Sequence, residues 1–533
     1  MIRRRLELSM KARPARCPAF LAILLLVAGC EANPVTGKKE LVLFSTEHEI
    51  ALGRRHFGPL QQASGGRYTA DPKLEDYVAS VGQRIARVSD RKLPYEFVVL
   101  NNSVPNAWAL PGGKIAVNRG LLMELENEAE LAAVLGHEVV HAAARHSASR
   151  MNRALILGAV ATSVAIANRG SKYAGAIAAG TTLGSHLIQK GYSRAHERMA
   201  DRYGIKYMHA AGYDTAAAVT LQEKFVALSK GREPGWLAGW FSTHPPSKER
   251  AILNRAALAA FSPGGEVGTG RYRTRLAYLR ARKPAYDRAD RAAKLLDSRP
   301  QQALRLLEEA IRREPGEALF HGLKGQAMAR QGRYRDAVDA YDAAIRRDAG
   351  YYRHYLGRGL ARKALREQMR ARQDLERSNR LLATHLANYS LGRIAMAEGN
   401  RVVAKRLFGS AKGAGRSLGK AASRDFTMLD IVDNPGRYIR LKPIFANGRV
   451  LVDVRNPTDY PLRNVTVQVA MEFNKKSLNY RFRPFDLRAR SSVRLASSIR
   501  YRPGDSLKAK ARLVQARFRP PSTHWAGIFR AYP

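Results

Sequence analysis

The sequence predicts a multidomain chain: a mainly helical domain with a small β edge, then a solenoid of helix pairs, then a C-terminal β-sandwich-like domain. Three observations predict it. Apolar residues recur at helical spacing over 127–144, an alanine returns every 33 or 34 residues between 303 and 404, and valines alternate with polar residues from 450 onward. With 533 residues the chain is also too long for a single core.

The N-terminus reads as an export signal over 1–29. Arg3, Arg4 and Arg5 open a basic region, and the apolar stretch Ala19–Ala28 is too short to span a bilayer but suits a signal-peptide core. Val27-Ala28-Gly29-Cys30 resembles a bacterial lipobox, with cleavage before Cys30 and lipid on its sulfur. Glu31 in place of an aspartate implies the periplasmic face of the outer membrane, with a peripheral periplasmic location as the alternative. Cys17 would leave with the leader, so no disulfide is expected in the mature chain.

Residues 30–260 form the first folded domain. Phe97–Asn101, Ala107–Leu110 and Lys114–Val117 read as short strands around a Pro-Gly-Gly turn, with an exposed edge suited to aligning an extended peptide. Asn127 with Glu130 fits a capping box, and Leu131, Val134, Leu135 and Val139 give the following helix a buried face. That helix carries His137-Glu138-Val139-Val140-His141. Positions i and i+4 share one helical face, so the two imidazoles can meet one metal ion, and Glu138 stands where it can take a proton from water. A third ligand is required, since catalytic zinc keeps three protein ligands and one open position. Glu197 and Asp201 are again i and i+4 on a predicted helix, so one acid can ligate while the other orients the surroundings. His196 competes, but neighbouring helical residues diverge by roughly 100°. Ser242-Thr243-His244-Pro245-Pro246 then holds a histidine on extended backbone. Two uncharged stretches, 154–167 and 173–188, read as buried or membrane-apposed helices because each is shorter than a spanning helix.

In this order, H-E-x-x-H, S-R-x-x-E-x-x-x-D and T-H-P-P with Arg250 behind it, the motifs resemble the HtpX-type gluzincin metallopeptidases. Asn106–Gly113 matches the segment before the active-site helix of that family, and the resemblance covers roughly 33–255. It implies a zincin-type domain holding one zinc ion through His137, His141 and Glu197, with Glu138 as general base. It places Asp201 and Arg250 behind the ligands, and His244 near the open position as an oxyanion donor or a displaceable fourth ligand.

Ser262-Pro263-Gly264-Gly265 marks the end of that domain, and 261–284 reads as a linker. Over 285–415, Ala303, Ala337, Ala371 and Ala404 step by 34, 34 and 33 residues. Leu307, Tyr341, Leu375 and Phe408 follow by four positions, and Gly325, Gly359 and Gly392 precede the last three alanines by twelve. Small residues where helices cross, with a bulky knob one turn later, fit the tetratricopeptide pattern. From 436 to 533, Val450, Val452 and Val454, then Val465, Val467 and Val469, predict a small antiparallel β domain.

The chain carries 91 basic and 45 acidic residues, and 437–520 alone hold 20 Lys/Arg against 5 Asp/Glu. Without a recognisable nucleic-acid-binding motif in an exported chain, no nucleic acid is expected. Anionic lipid or lipopolysaccharide, unfolded or misassembled envelope proteins and the outer-membrane assembly machinery are the expected partners. The reading is a zinc endopeptidase of the bacterial envelope that degrades misfolded periplasmic or outer-membrane proteins. The alternative is a repeat scaffold or chaperone-like assembly factor with a gated metal site.

Overall fold

The computed structural model describes residues 30–42, 44–150, 191–231, 243–473, 476–501 and 507–518. The leader expected over 1–29 and the apolar stretches 154–167 and 173–188 lie outside them. No helix among the described residues is long and apolar enough to cross a membrane. The chain divides into two compact units, one holding residues up to 323 with 346–351, the other 324–345 with 352 onward.

In the first unit, β1 (Cys30–Ala32) pairs with β2 (Lys39–Leu41), and α1 (Thr46–Ala63) and α2 (Pro72–Arg87) follow. Strands β3 (Glu96–Leu100), β4 (Ala107–Leu110) and β5 (Lys114–Asn118) make one sheet in the order β3-β5-β4, with β3 parallel and β4 antiparallel to the middle strand. Near-continuous apolar runs are what strands covered on both faces require. β4 is an end strand, with β5 its only strand partner among the described residues. All four residues of β4 are buried, and the Tyr192 hydroxyl stands 3.5 Å from the Ala109 carbonyl.

Helices α3 (Arg119–Glu124), α4 (Glu128–Ala143), α5 (Arg194–Ala210), α6 (Ala216–Gly231) and α7 (Lys248–Leu258) follow in this unit. Every residue of α4 is buried, which makes it the central helix. It crosses α5 where Gly136 meets Gly204, and a Cβ on Gly136 would stand 3.2 Å from the Gly204 carbonyl oxygen. Two glycines at the crossing let the backbones approach closely enough for side chains one turn away to converge.

The segment expected as a linker is mostly helix. α8 (Thr269–Leu295) buries Tyr272, Leu276, Leu279, Tyr286 and Ala289. The Tyr272 hydroxyl donates to the Leu122 carbonyl at 2.6 Å. The buried Glu128, in the first turn of α4, accepts from Tyr77 (2.8 Å), Tyr213 (3.0 Å) and Arg271 (2.7 Å). Arg119 stacks 3.7 Å from the Tyr286 ring centre, and the Tyr286 hydroxyl donates to Glu317 at 2.5 Å. Burying these hydroxyls and carboxylates unpaired would cost about 1–3 kcal/mol each, so the network fixes α8 in place.

Seven helices continue the repeat: α9 (Pro300–Arg313), α10 (Ala318–Arg330), α11 (Tyr334–Arg347), α12 (Tyr352–Ala364), α13 (Gln368–Leu381), α14 (His385–Ala397) and α15 (Arg401–Ala411). Ala303, Ala337, Ala371 and Ala404 are fully buried, and Leu307, Tyr341, Leu375 and Phe408 are buried one turn on. A Cβ on Gly392 would lie 2.7 Å from the Phe408 ring, so the glycine is the socket for that knob. These are tetratricopeptide-like helical repeats.

After α16 (Arg416–Asp433) the period changes to two. Strands β6 (Arg440–Ala446), β7 (Arg449–Arg455), β8 (Leu462–Phe473), β9 (Lys476–Arg481), β10 (Phe485–Leu487), β11 (Ser492–Arg500) and β12 (Leu507–Arg517) form antiparallel sheets. One has the order β6-β7-β11, and the other β10-β8-β12 with β9 also on β8. Val450, Val452 and Val454 of β7 and Val465, Val467 and Val469 of β8 share one core with Met428 and Ile431 of α16.

Candidate metal centre

α4 starts where the sequence suggests, with a variation. The Asn127 side chain accepts from the Glu130 amide at 2.9 Å, but the Glu130 carboxylate returns to the Glu126 amide at 2.8 Å and pairs with Lys224 at 3.0 Å. The tertiary partner draws the acid past its usual reciprocal bond. α5 is capped by Ser193, whose side chain accepts from the His196 amide at 3.2 Å. Fixing both helix starts sets which residues face each other across the glycine crossing.

Four side chains converge there. One ligating atom from each of His137, His141, Glu197 and His244 lies within 4.8 Å of the others, and all four residues are buried. The Nε2 atoms of His137 and His141 are 3.0 Å apart, and His244 Nδ1 lies 3.1 Å from His137 Nε2. Glu197 Oε1 stands 3.4 Å from His141 Nε2 and 3.0 Å from His244 Nδ1. Ligands at about 2.0–2.1 Å from a tetrahedral zinc are separated by roughly 3.3 Å, so this spacing fits such an ion. Three imidazoles and one carboxylate are also a donor set that zinc accepts.

Each ligand candidate is held from behind. Asp201 does not join the group. Its Oδ1 lies 3.0 Å from His137 Nδ1, which turns Nε2 toward the centre. Arg250 grips Asp201 through two bonds of 2.7 Å, reaches Glu197 Oε2 at 3.0 Å and donates to the Pro245 carbonyl at 3.0 Å. One guanidinium therefore aligns the carboxylate, the orienting acid and the loop that carries His244. His196, next to Glu197, points elsewhere and stacks on His146 at 4.2 Å. Cys30 stands in β1, opposite Leu41.

Charges in the centre follow from burial and neighbours. Burial opposes charge on His137, but Glu197 and Asp201 outweigh it and push its pKa up to about 9. Burial also opposes the Glu197 carboxylate, yet His244 and His137 hold it well below the usual range. Burial drives His141 well below the ordinary imidazole value. Glu138 is fully buried, and neither carboxylate oxygen has a hydrogen-bond partner among the described residues. Burial raises its pKa, and His244 Nε2 stands 3.3 Å from Oε1.

The sequence reading missed two residues. His146 Nδ1 lies 2.8 Å from His141 Nδ1, and Tyr192 stacks on His141 with ring centres 3.7 Å apart. His141 presents Nε2 to the other donors, so its Nδ1–H donates to His146, which burial and then the charge of His196 keep well below the ordinary imidazole value. The only sequence signal was a third histidine five positions after the second. His146→Ala should weaken zinc binding about 10–100-fold while the fold survives. Competition with a chromophoric chelator measures it, and an unchanged affinity would remove His146 from this role.

Residues 72–255 match Peptidase family M48. The beta-barrel assembly-enhancing protease of Escherichia coli (strain K12) is 31% identical over 188 residues, 34% of this chain and 38% of that protein. The mitochondrial metalloendopeptidase OMA1 of Schizosaccharomyces pombe is 37% identical over 179 residues, 33% of this chain and 50% of that one. The chain thus spans half or less of these relatives' own length. Among solved structures, the first TPR of Spaghetti (RPAP3) bound to an HSP90 peptide is 21% identical, covering 22% of this chain and 94% of that one with a TM-score of 0.22.

Proposed function

The chain carries an M48 peptidase domain, and from that premise we propose that it is a zinc-dependent endopeptidase of the bacterial envelope, acting on misfolded or misassembled periplasmic and outer-membrane proteins. The observation that carries the reading is the convergence of His137, His141, Glu197 and His244 beside a buried, unbonded Glu138 carboxylate. Zinc bound there would act as a Lewis acid toward the scissile carbonyl and make water more acidic. Glu138, its proton affinity raised by burial, takes the proton of the attacking water and returns it to the leaving amine. Asp201 and His146 hold the two imidazoles in the tautomers that ligation needs, and Arg250 holds both acids.

The envelope location rests on the lipobox-like Val27–Cys30 and on relatives named for beta-barrel assembly. Lipidated at Cys30, the chain would sit on the periplasmic face of the outer membrane, its repeats recruiting clients and its two terminal sheets packed as a β-sandwich. A second reading, a chaperone-like scaffold with a gated metal site, is favoured by one observation. His244 Nδ1 lies among the donors rather than facing an open position.

We assign His244 as a displaceable fourth ligand that restrains the peptidase. Digestion of an unfolded protein by the zinc-loaded chain, stopped by a chelator and restored by zinc, tests the peptidase itself. In that assay His244→Ala should raise the basal rate several-fold. A loss of hundreds-fold would instead make His244 an oxyanion donor, worth about 3–4 kcal/mol. Absence of zinc-dependent digestion in both proteins would leave the scaffold.

A further inference from the structure

The sheet β6-β7-β11 has one face in the core and one in solvent, and the charge on the solvent face is strongly cationic. Val450, Val452 and Val454 point inward, so Arg449, Leu451, Asp453 and Arg455 point outward. The register gives the rows of that outer face. Arg440, Arg455 and Ser492 stand side by side, then Lys442, Asp453 and Arg494, then Ile444, Leu451 and Ala496, and at the far end Arg449 and Arg500. Six cations thus share the face with one carboxylate, and Arg494 already holds that carboxylate through bonds of 2.6 and 3.0 Å. No ion pair joins Arg440, Lys442, Arg449, Arg455 or Arg500 to an acid among the described residues.

Two of these placements work against folding. Arg440 is directly opposite Arg455, and Arg449 directly opposite Arg500. Like charges facing each other across a ladder destabilise a sheet, so nothing in the folded chain rewards them. A face of this kind is balanced by an external array of negative charge. The apolar row between the basic rows adds a second property, because Ile444 and Leu451 are only half-buried. Basic groups flanking an apolar strip suit the boundary of headgroups and acyl chains. No aromatic side chain stands in these rows, so the base-stacking platform of a single-strand nucleic-acid binder is missing.

We propose that this outer face docks on the anionic headgroups of a phospholipid bilayer. The inference does not depend on peptidase activity or on the metal centre. Each Lys or Arg near an anionic surface contributes about a fivefold increase in partitioning. The test is sedimentation of the full chain carrying Cys30→Ala, so that attached lipid cannot contribute, with vesicles of phosphatidylglycerol and phosphatidylcholine or of phosphatidylcholine alone. Preferential binding to the anionic vesicles is expected, weakening as salt rises. The combined variant Arg440→Ser, Arg449→Ser, Arg455→Ser, Arg500→Ser should lose about several hundredfold of that binding. Its melting temperature should equal or exceed the parent's, since two repulsive pairs are gone. A control variant, Lys508→Ser, Lys510→Ser, Arg512→Ser, removes charge from the exposed side of the other sheet and should keep most of the binding. Equal losses in both variants would show unspecific charge attraction and overturn the proposal. So would parent binding that salt does not weaken, or an oligonucleotide that displaces the chain from vesicles at equal charge concentration.

Discussion

Glu138→Gln should leave the zinc content and the fold intact while slowing proteolysis by about two to four orders of magnitude. The side chain is fully buried, and its carboxylate makes no hydrogen bond among the described residues that an amide would forfeit. Exchanging it for a neutral isostere removes the desolvation cost of a carboxylate, so the melting temperature should hold or rise. What disappears is the proton acceptor, because an amide cannot take the proton that the attacking water gives up. Metal analysis, thermal melting and digestion of an unfolded protein measure the three quantities on one preparation. Wild-type digestion rates in this variant would sink the assignment of Glu138, whatever the metal does.

Glu197→Ala should abolish zinc binding at stoichiometric metal. Its carboxylate is the one anion in the donor group, and three neutral imidazoles hold a divalent ion in a buried site less well than three imidazoles with a carboxylate. The loss also strips Arg250 of one of its two acids, while Asp201 keeps the guanidinium paired and the helix crossing in place. The effect should therefore fall on metal content and much less on the melting temperature of the metal-free chain. His196→Ala is the matched control, since that ring stacks on His146 and lies outside the group. Full zinc occupancy after Glu197→Ala, with His196→Ala metal-free, would reverse the ligand choice.

Much of the centre could be read before any coordinates because its elements are local. His137 and His141 share a face by helical period alone, and the same period separates Glu197 from His196. The repeats were legible for a related reason. Each 34-residue step reproduces the same crossing, so the buried alanines at 303, 337, 371 and 404 mark themselves by recurrence. Partners brought together by tertiary packing left no such trace. Nothing in the spacing says that His146 bends back to His141, or that Tyr192 closes over that ring from 51 positions further along the sequence. The helix at Thr269–Leu295 was hidden by its own composition. Its buried Tyr272, Leu276, Leu279 and Tyr286 are scattered among arginines and an internal Pro284, and the glycines before it pointed to a linker.

That helix has a consequence for inheritance. Modules joined by loose tethers can be shuffled between genes, since a crossover in the tether harms neither side. Here a crossover between residues 269 and 284 would cut through the helix whose Arg271 neutralises Glu128 and whose Tyr272 satisfies the Leu122 carbonyl. A crossover just after 284 would take away Tyr286, on which Arg119 lies, and with it Glu317, to which Asn101 donates. The peptidase and the opening helices of its repeat array are accordingly one heritable piece, and any exchange of repeats between relatives has to occur beyond Glu317.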